Sequence, residues 1–231
     1  MLAGDASLPG TRSILRRENM AKPILYGPGY STFARAARLA MEEKGVDYDL
    51  VEVDFIGGGM PAEQLARQPF GKVPAFEHDG LMLYETAAIM QYVDEAFDGP
   101  SLQPSDPARR ARMTQVISII NSYTYSCTVG DLVIQRLVVP MLGGTADESV
   151  IEAALPEVDK SMGELEKILG DQEYLTGSSL TLADLQLAPI FAYFVNTPES
   201  QKILEGKASL NAWWQRIDAR ESMAKTQPQL G

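Results

Sequence analysis

The chain has 231 residues, 45% of them hydrophobic and 22% charged, with 31 acidic against 20 basic side chains and a formal net charge of −11. This is enough apolar material for one or two globular domains, and the acidic surplus repels phosphate backbones and anionic lipid, so neither nucleic acid nor membrane is an expected partner. With one cysteine, Cys127, and one histidine, His78, intrachain disulfides, zinc fingers, dithiol redox motifs and two-histidine metal motifs are excluded; no metal is expected, and the expected compartment is reducing and cytoplasmic.

The leader Met1 to Asn19 is polar and carries Arg12, Arg16 and Arg17. It lacks the apolar stretch of about 7 to 15 residues that a secretory signal needs, and reads as a disordered tail over residues 1–21, or as residues upstream of a start at Met20, with a short organelle-targeting peptide as a further alternative. No apolar run approaches the roughly 20 residues that span a bilayer. Pro23-Ile24-Leu25-Tyr26 before Gly27-Pro28-Gly29 predicts a buried strand ending in a turn. Ser31 then precedes the helical stripe Phe33, Ala36, Ala37, Ala40 and Met41, which Gly45 stops. Asp47 to Val53 alternates as a strand, and Gly57-Gly58-Gly59 opens a loop before a short helix over Pro61 to Ala66. Ala75 to Glu77 and Leu81 to Tyr84 flank His78-Asp79-Gly80, whose Asp-Gly marks a hairpin with the histidine in its turn. Glu85 to Ala96 returns to helical spacing through Ile89, Met90 and Val93, completing the order β-α-β-α-β-β-α.

Asp98-Gly99-Pro100, with Pro104 and Pro107, predicts a linker. Helical signals follow. The first covers Ala108 to Val138 with a stripe of Met113, Val116, Ile120, Tyr123 and Cys127. The second covers Val150 to Leu169, with a kink expected at Pro156; Thr181-Leu182-Ala183-Asp184 opens a third, with a kink at Pro189; a fourth over Ser209 to Arg220 holds Trp213 and Trp214, read as packing residues. The expected division is a small mixed α/β domain over 22–98 and an all-helical domain over 107–231.

Four segments in order, Ser31 after the first strand, Gly71-Lys72-Val73-Pro74-Ala75-Phe76, Tyr84-Glu85-Thr86-Ala87-Ala88-Ile89 and Leu180-Thr181-Leu182-Ala183-Asp184, make residues 22–225 resemble the cytosolic glutathione transferases. Tyr30-Ser31-Thr32-Phe33 and Pro69 to Pro74 resemble the serine-type classes, phi above all. The resemblance implies a thioredoxin-like glutathione-binding domain, a helical domain that shapes the electrophile pocket, glutathione as co-substrate, and a homodimer. It also implies that Pro74 is cis, that Val73 pairs with the tripeptide backbone, that Glu85 binds its amino group and Thr86 its γ-glutamyl carboxylate, and that Lys72 pairs with its glycyl carboxylate. Where the phi pattern often has a His-Lys pair in the second-strand loop, Gly59 and Met60 stand here, so part of the usual carboxylate clamp is missing.

Each motif also has a plainer reading. Ser31 is at the position of an N-cap accepting a backbone N–H, Val73-Pro74 is an ordinary strand start, and Glu85-Thr86 an acidic first turn. The sharper reading of Ser31 has its hydroxyl donating to a glutathione sulfur above the helix N-terminus. Lowering a thiol pKa by about two units takes about 2.7 kcal/mol; a charge-assisted hydrogen bond supplies about 1.5 to 3, and a helix end about 0.3 to 1. One hydroxyl and one helix end therefore suffice. Tyr30 is the rival donor, with pocket wall as its plainer role, and Thr32 stands third. Arg35 joins Lys72 as a candidate for a local basic patch. Tyr30, Phe33, Met113 and Tyr123 are candidates for the electrophile pocket, core packing being the rival reading of the last two. Thr181 and Asp184 form a capping box and read as a folding element, and Cys127 reads as a small buried hydrophobe. The expected activity is transfer of glutathione to an electrophilic carbon, or reduction of a hydroperoxide. The alternatives are a non-catalytic ligand-binding or assembly module, and a glutathione-dependent isomerase, against which the lack of a Ser-Ser-Cys run counts.

Overall fold

The computed structural model describes residues 21–55 and 59–228. The expected tail, apart from residue 21, and Gly57 and Gly58 of the glycine loop lie outside the described residues.

Four short strands, β1 (Ile24–Tyr26), β2 (Asp49–Val51), β3 (Ala75–His78) and β4 (Leu81–Tyr84), form one sheet in the order β2-β1-β3-β4. β1 and β2 run parallel with Leu25 opposite Leu50, because the 13-residue helix α1 (Thr32–Lys44) carries the chain back between them. β3 runs antiparallel to β1, with Phe76 opposite Leu25, and to β4, with Phe76 opposite Leu83. Leu25 and Phe76 thus meet at the centre of the buried face. The short helix α2 (Ala62–Arg67) precedes β3, and α3 (Thr86–Ala96) follows β4 and packs on α1. The strand expected over Asp47 to Val53 shrinks to three residues, since only Asp49 to Val51 find a partner in β1.

His78 is the last residue of β3 rather than part of the turn, and it is buried. Its Nδ1 lies 2.8 Å from the Tyr92 hydroxyl on α3, and its ring lies 4.8 Å from that of Phe97. The linker is anchored where it leaves α3. Lys44 and Asp94 form an almost fully buried ion pair at 3.1 Å, Lys44 also donates to the Pro100 carbonyl, and Asp94 accepts from the Leu102 N–H. Gly99 sits at φ 116 against this pair, where a Cβ would come within 2.7 Å of the Lys44 carbonyl oxygen, so only glycine fits.

The second domain opens with α4 (Pro107–Ile119), capped by Asp106 through the Arg109 N–H and started by Pro107 at its first position. The rod continues through two π-helical stretches, Ile120–Thr124 and Ser126–Val138, into the short turn α5 (Val139–Met141). α6 (Glu148–Leu169) runs unbroken past Pro156, and α7 (Leu182–Phe194) past Pro189. Then come α8 (Ser200–Ile203), α9 (Ala208–Asp218) and α10 (Glu221–Lys225).

α7 is the hub, packing on α1 and α3 of the first domain and on α4 and α9 of its own. Its start is held by the buried Asp184, whose Oδ2 accepts from the Thr181 N–H and hydroxyl at 2.8 and 2.9 Å and whose Oδ1 accepts from the Leu175 N–H and the Trp213 indole, both at 2.9 Å. Burial, the larger influence, leaves this carboxyl above its ordinary value against the pull of the four donors. Every one of its contacts is donor to acceptor, so the site is built for the carboxylate. Trp213 is fully buried against Phe191, which makes it a core residue.

Candidate active site

The cleft candidates collect at the end of the sheet where β1 hands over to α1. Gly27-Pro28-Gly29 turns the chain; the Ser31 N–H donates to the Pro28 carbonyl at 3.0 Å and the Ser31 carbonyl accepts from Arg35 N–H at 2.8 Å, the first bond of α1. Ser31 is the N-cap, with φ −66 and ψ 127, and its Oγ accepts from the Ala34 N–H at 3.3 Å. The two readings of Ser31 are therefore compatible. A hydroxyl has two lone pairs and one hydrogen; the cap uses a lone pair through a long bond and leaves the hydrogen for an outside acceptor.

Tyr30 lies beside it in a different field. Its hydroxyl is buried without a hydrogen-bond partner among the described residues, and its pKa is raised first by burial, then by the carboxylates of Asp54 and Glu52. A third anion is disfavoured next to those two carboxylates, whereas the amides at the start of α1 favour one. The backbone carbonyl of Tyr30 accepts from the Tyr193 hydroxyl of α7 at 2.8 Å.

Val73-Pro74 is a cis peptide immediately before β3. Val73 and Met60 pack on a small cluster formed by Tyr26, Val53 and Ala75, so the residue standing at the missing clamp position is used as packing. Lys72 is exposed, and two buried glutamines of the α2 region brace its backbone: Gln64 Nε2 donates to the Lys72 carbonyl at 3.1 Å, and the Lys72 N–H donates to Gln68 Oε1 at 2.9 Å. Sequence reasoning missed this brace. Its only signal was a pair of glutamines four apart, one on a six-residue helix and one at its C-cap, which reads as ordinary surface polarity until the burial is known.

Glu85, the N-cap of α3, is exposed and has φ 71. For a residue with a Cβ that conformation is strained, by an amount of order 1 to 3 kcal/mol. Thr86 is buried, and its hydroxyl donates to the carbonyl of Phe33 at 3.3 Å, tying the start of α3 to the first turn of α1. Ser31, Val73, Glu85 and Thr86 thus lie on the linked ends of α1, β3 and α3.

Three expectations are corrected. Arg35 does not contribute to a basic patch at the cleft: it is buried and points to the α10 segment, donating to the Met223 carbonyl at 3.0 Å and the Thr226 hydroxyl at 3.3 Å. Met113 is 3% exposed and packs inside the core. Tyr123 is 69% exposed, while the residue of the long helix that reaches α1 is Tyr125, whose ring lies 4.5 Å from that of Phe33. Cys127 is buried, and burial pushes its thiol pKa up, so it is a poor nucleophile. Among the described residues, no helix is long and apolar enough to cross a membrane.

A mixed four-stranded sheet with a cis-proline before its third strand, followed by a helical domain wrapped on its first helix, defines a two-domain protein of the thioredoxin-like class. Residues 25–101 match the glutathione S-transferase N-terminal domain and residues 127–221 the glutathione S-transferase C-terminal domain. Glutathione S-transferase 1 of Zea mays is 32% identical over 207 residues, spanning 89% of this chain and 96% of that one. A structure of glutathione S-transferase I bound to lactoylglutathione superposes with a TM-score of 0.79 at 31% identity, covering 89% and 98% of the two chains. Glutathione S-transferase I from maize in complex with an atrazine glutathione conjugate gives 0.78 at 30% identity, covering 89% and 96%. The chain belongs to the glutathione S-transferase family.

Proposed function

We propose that this protein conjugates glutathione to electrophilic small molecules, a detoxification chemistry, and that Ser31 activates the thiol. The observation that carries the assignment is the Ser31 hydroxyl at the N-terminus of α1, with its hydrogen uncommitted by the cap. The tripeptide thiol loses its proton to solvent water, and the thiolate is held by the Ser31 O–H and the first-turn amides. It attacks an electrophilic carbon across the face walled by Phe33 and Tyr125, forming the S–C bond as a leaving group departs with its bonding pair or as a conjugated double bond gives up its π pair and is then protonated by water. Val73 offers its backbone to the peptide portion. The Glu85 carboxylate takes the γ-glutamyl amino group and the Thr86 backbone N–H, at the start of α3, takes its carboxylate, because the Thr86 hydroxyl is committed to the Phe33 carbonyl; Lys72, fixed by its two glutamines, takes the glycyl carboxylate. Tyr30 serves as cleft wall.

Removing the hydroxyl tests this. In Ser31→Ala, the pKa of enzyme-bound glutathione, read from thiolate absorbance, should rise by about one to two units, the equivalent of a charge-assisted hydrogen bond. An unchanged thiol pKa, or loss of turnover in Tyr30→Phe alone, overturns the assignment. Failure to bind glutathione at millimolar concentration overturns the enzyme reading in favour of a non-catalytic module.

The homodimer belongs to the same proposal. Phe70 is 71% exposed and sits edge-on to the exposed Tyr84 ring, 6.2 Å away, beside the unpaired edge of β4. A second copy is the occupant that suits such an apolar patch, and sedimentation as a single monomer-sized species would overturn it. A cytoplasmic location fits the one buried, unpaired cysteine; localisation of a tagged chain outside the cytosol would contradict it.

A further inference from the structure

The Tyr30–Ser31 peptide bond stands between the turn and the helix cap, and it is gripped from both sides. Its N–H, on Ser31, donates within the turn to the Pro28 carbonyl at 3.0 Å. Its C=O, on Tyr30, accepts from Tyr193, which lies 163 residues later on α7 in the other domain, at 2.8 Å. A peptide unit is planar and its N–H and C=O point to opposite edges, so two hydrogen bonds, one at each edge, remove its freedom to rotate. Rotation of that plane changes ψ of Tyr30 and φ of Ser31 together, and the direction in which the Ser31 Cβ–Oγ bond points follows φ.

We infer that Tyr193 is a positioning residue for thiol activation, aiming the Ser31 hydroxyl from the helical domain by holding the Tyr30 carbonyl. This rests on the assignment of Ser31 made above. Alone, the Pro28 bond leaves the plane a hinge about one edge. The Ala34 N–H adds little restraint, because at 3.3 Å it is the longest of the bonds that hold Ser31. Tyr193 is itself well placed to act as a fixed donor. It is half-buried near the end of α7, and burial, the larger influence, together with the nearby Tyr30 holds its phenol above the ordinary value against the pull of Arg35. It therefore keeps its proton across the working range of pH. The charged groups around the turn are Arg35 and Arg38 on α1 and, on the other side of Tyr30, Asp54 and Glu52, whose carboxylate accepts from the Gly29 N–H at 3.1 Å.

Few sequence clues could have pointed here. The effect of Tyr193 passes through a backbone carbonyl, to which no side-chain motif refers.

The test is Tyr193→Phe, which keeps the ring and its packing and removes only the donor. Bound glutathione should titrate about 0.4 to 1 unit higher than in wild type, the span of an ordinary hydrogen bond passed on to the thiolate. Turnover below both pKa values should fall about threefold to tenfold and converge with wild type above them. In Ser31→Ala the further change Tyr193→Phe should leave the thiol titration where Ser31→Ala put it. If Ser31→Ala shifts the titration and Tyr193→Phe does not, the positioning role is wrong while the serine assignment stands. If Ser31→Ala shifts nothing, the serine assignment fails first. A Tyr193→Phe protein with lower turnover at every pH and an unmoved titration assigns Tyr193 to structure alone and overturns the inference.

Discussion

Replacing Asp184 by asparagine separates the electrostatic and steric parts of the capping box. The side chain keeps its shape but exchanges one oxygen for an NH₂ group. If the NH₂ faces Leu175 and Trp213, two N–H donors lose their acceptor; if it faces Thr181, the hydroxyl can turn to accept from it and only the Thr181 N–H is stranded. The second arrangement is the better one. It leaves one buried donor unsatisfied, at about 1 to 3 kcal/mol, and weakens the remaining bonds from charge-assisted to neutral, for a total of about 2 to 4 kcal/mol. Asp184→Ala strands all four donors and should exceed what a single domain can lose. Urea unfolding followed by tryptophan fluorescence reads this directly, since Trp213 is one of the donors. An Asp184→Asn protein within 1 kcal/mol of wild type would refute the reasoning, because it would mean the carboxylate charge contributes nothing to the box.

Two further outcomes follow from other contacts. Asp94→Asn leaves the buried Lys44 ammonium facing carbonyls only, and should destabilise by about 3 to 5 kcal/mol in the same unfolding assay. The Glu43 carboxylate receives Arg220 at 2.7 and 2.6 Å together with the Ser222 hydroxyl; burial raises its pKa, but these donors outweigh it and hold it below its ordinary 4.5. A depressed carboxyl contributes stability above 4.5 that is lost as pH falls through the lower folded value. Glu43→Gln should therefore be less stable by about 2 kcal/mol at pH 7 and converge with wild type on the acid side, as a pH series of melting curves would show.

The order of strands and helices was legible because each has its own period and its own punctuation. Ser31 and Thr181 announced their helices, and Gly45 and the Asp79-Gly80 pair their stops and turns. The long helix shows where pattern reading stops. After Ile120 both Tyr123 and Thr124 continue a helical stripe, and an apolar reading picks the tyrosine. The chain buries Thr124 instead, because its hydroxyl meets that of Ser161 on α6 at 2.7 Å, leaving Tyr123 outside and bringing Tyr125 against Phe33. A buried polar pair cannot be seen from either residue alone. Arg35 illustrates the same limit. One turn past Ser31 it looked like a cleft cation, but its direction is set by acceptors at Met223 and Thr226. The pairing of His78 with Tyr92 was equally hidden, since it depends on how β3 sits on α3.

The clasp between α1 and the α10 segment also bears on how the chain is made. Arg35 and Arg38 donate to Met223, Lys225 and Thr226, and Glu43 receives Arg220 and Ser222, all across nearly two hundred residues of sequence. During synthesis the first domain leaves the ribosome long before these acceptors exist, and the Arg35 guanidinium must stay hydrated until they arrive. The thioredoxin-like half is therefore finished last, by residues outside its own stretch of sequence. A fragment ending at the linker would have every strand of the sheet and still lack the cover of its first helix.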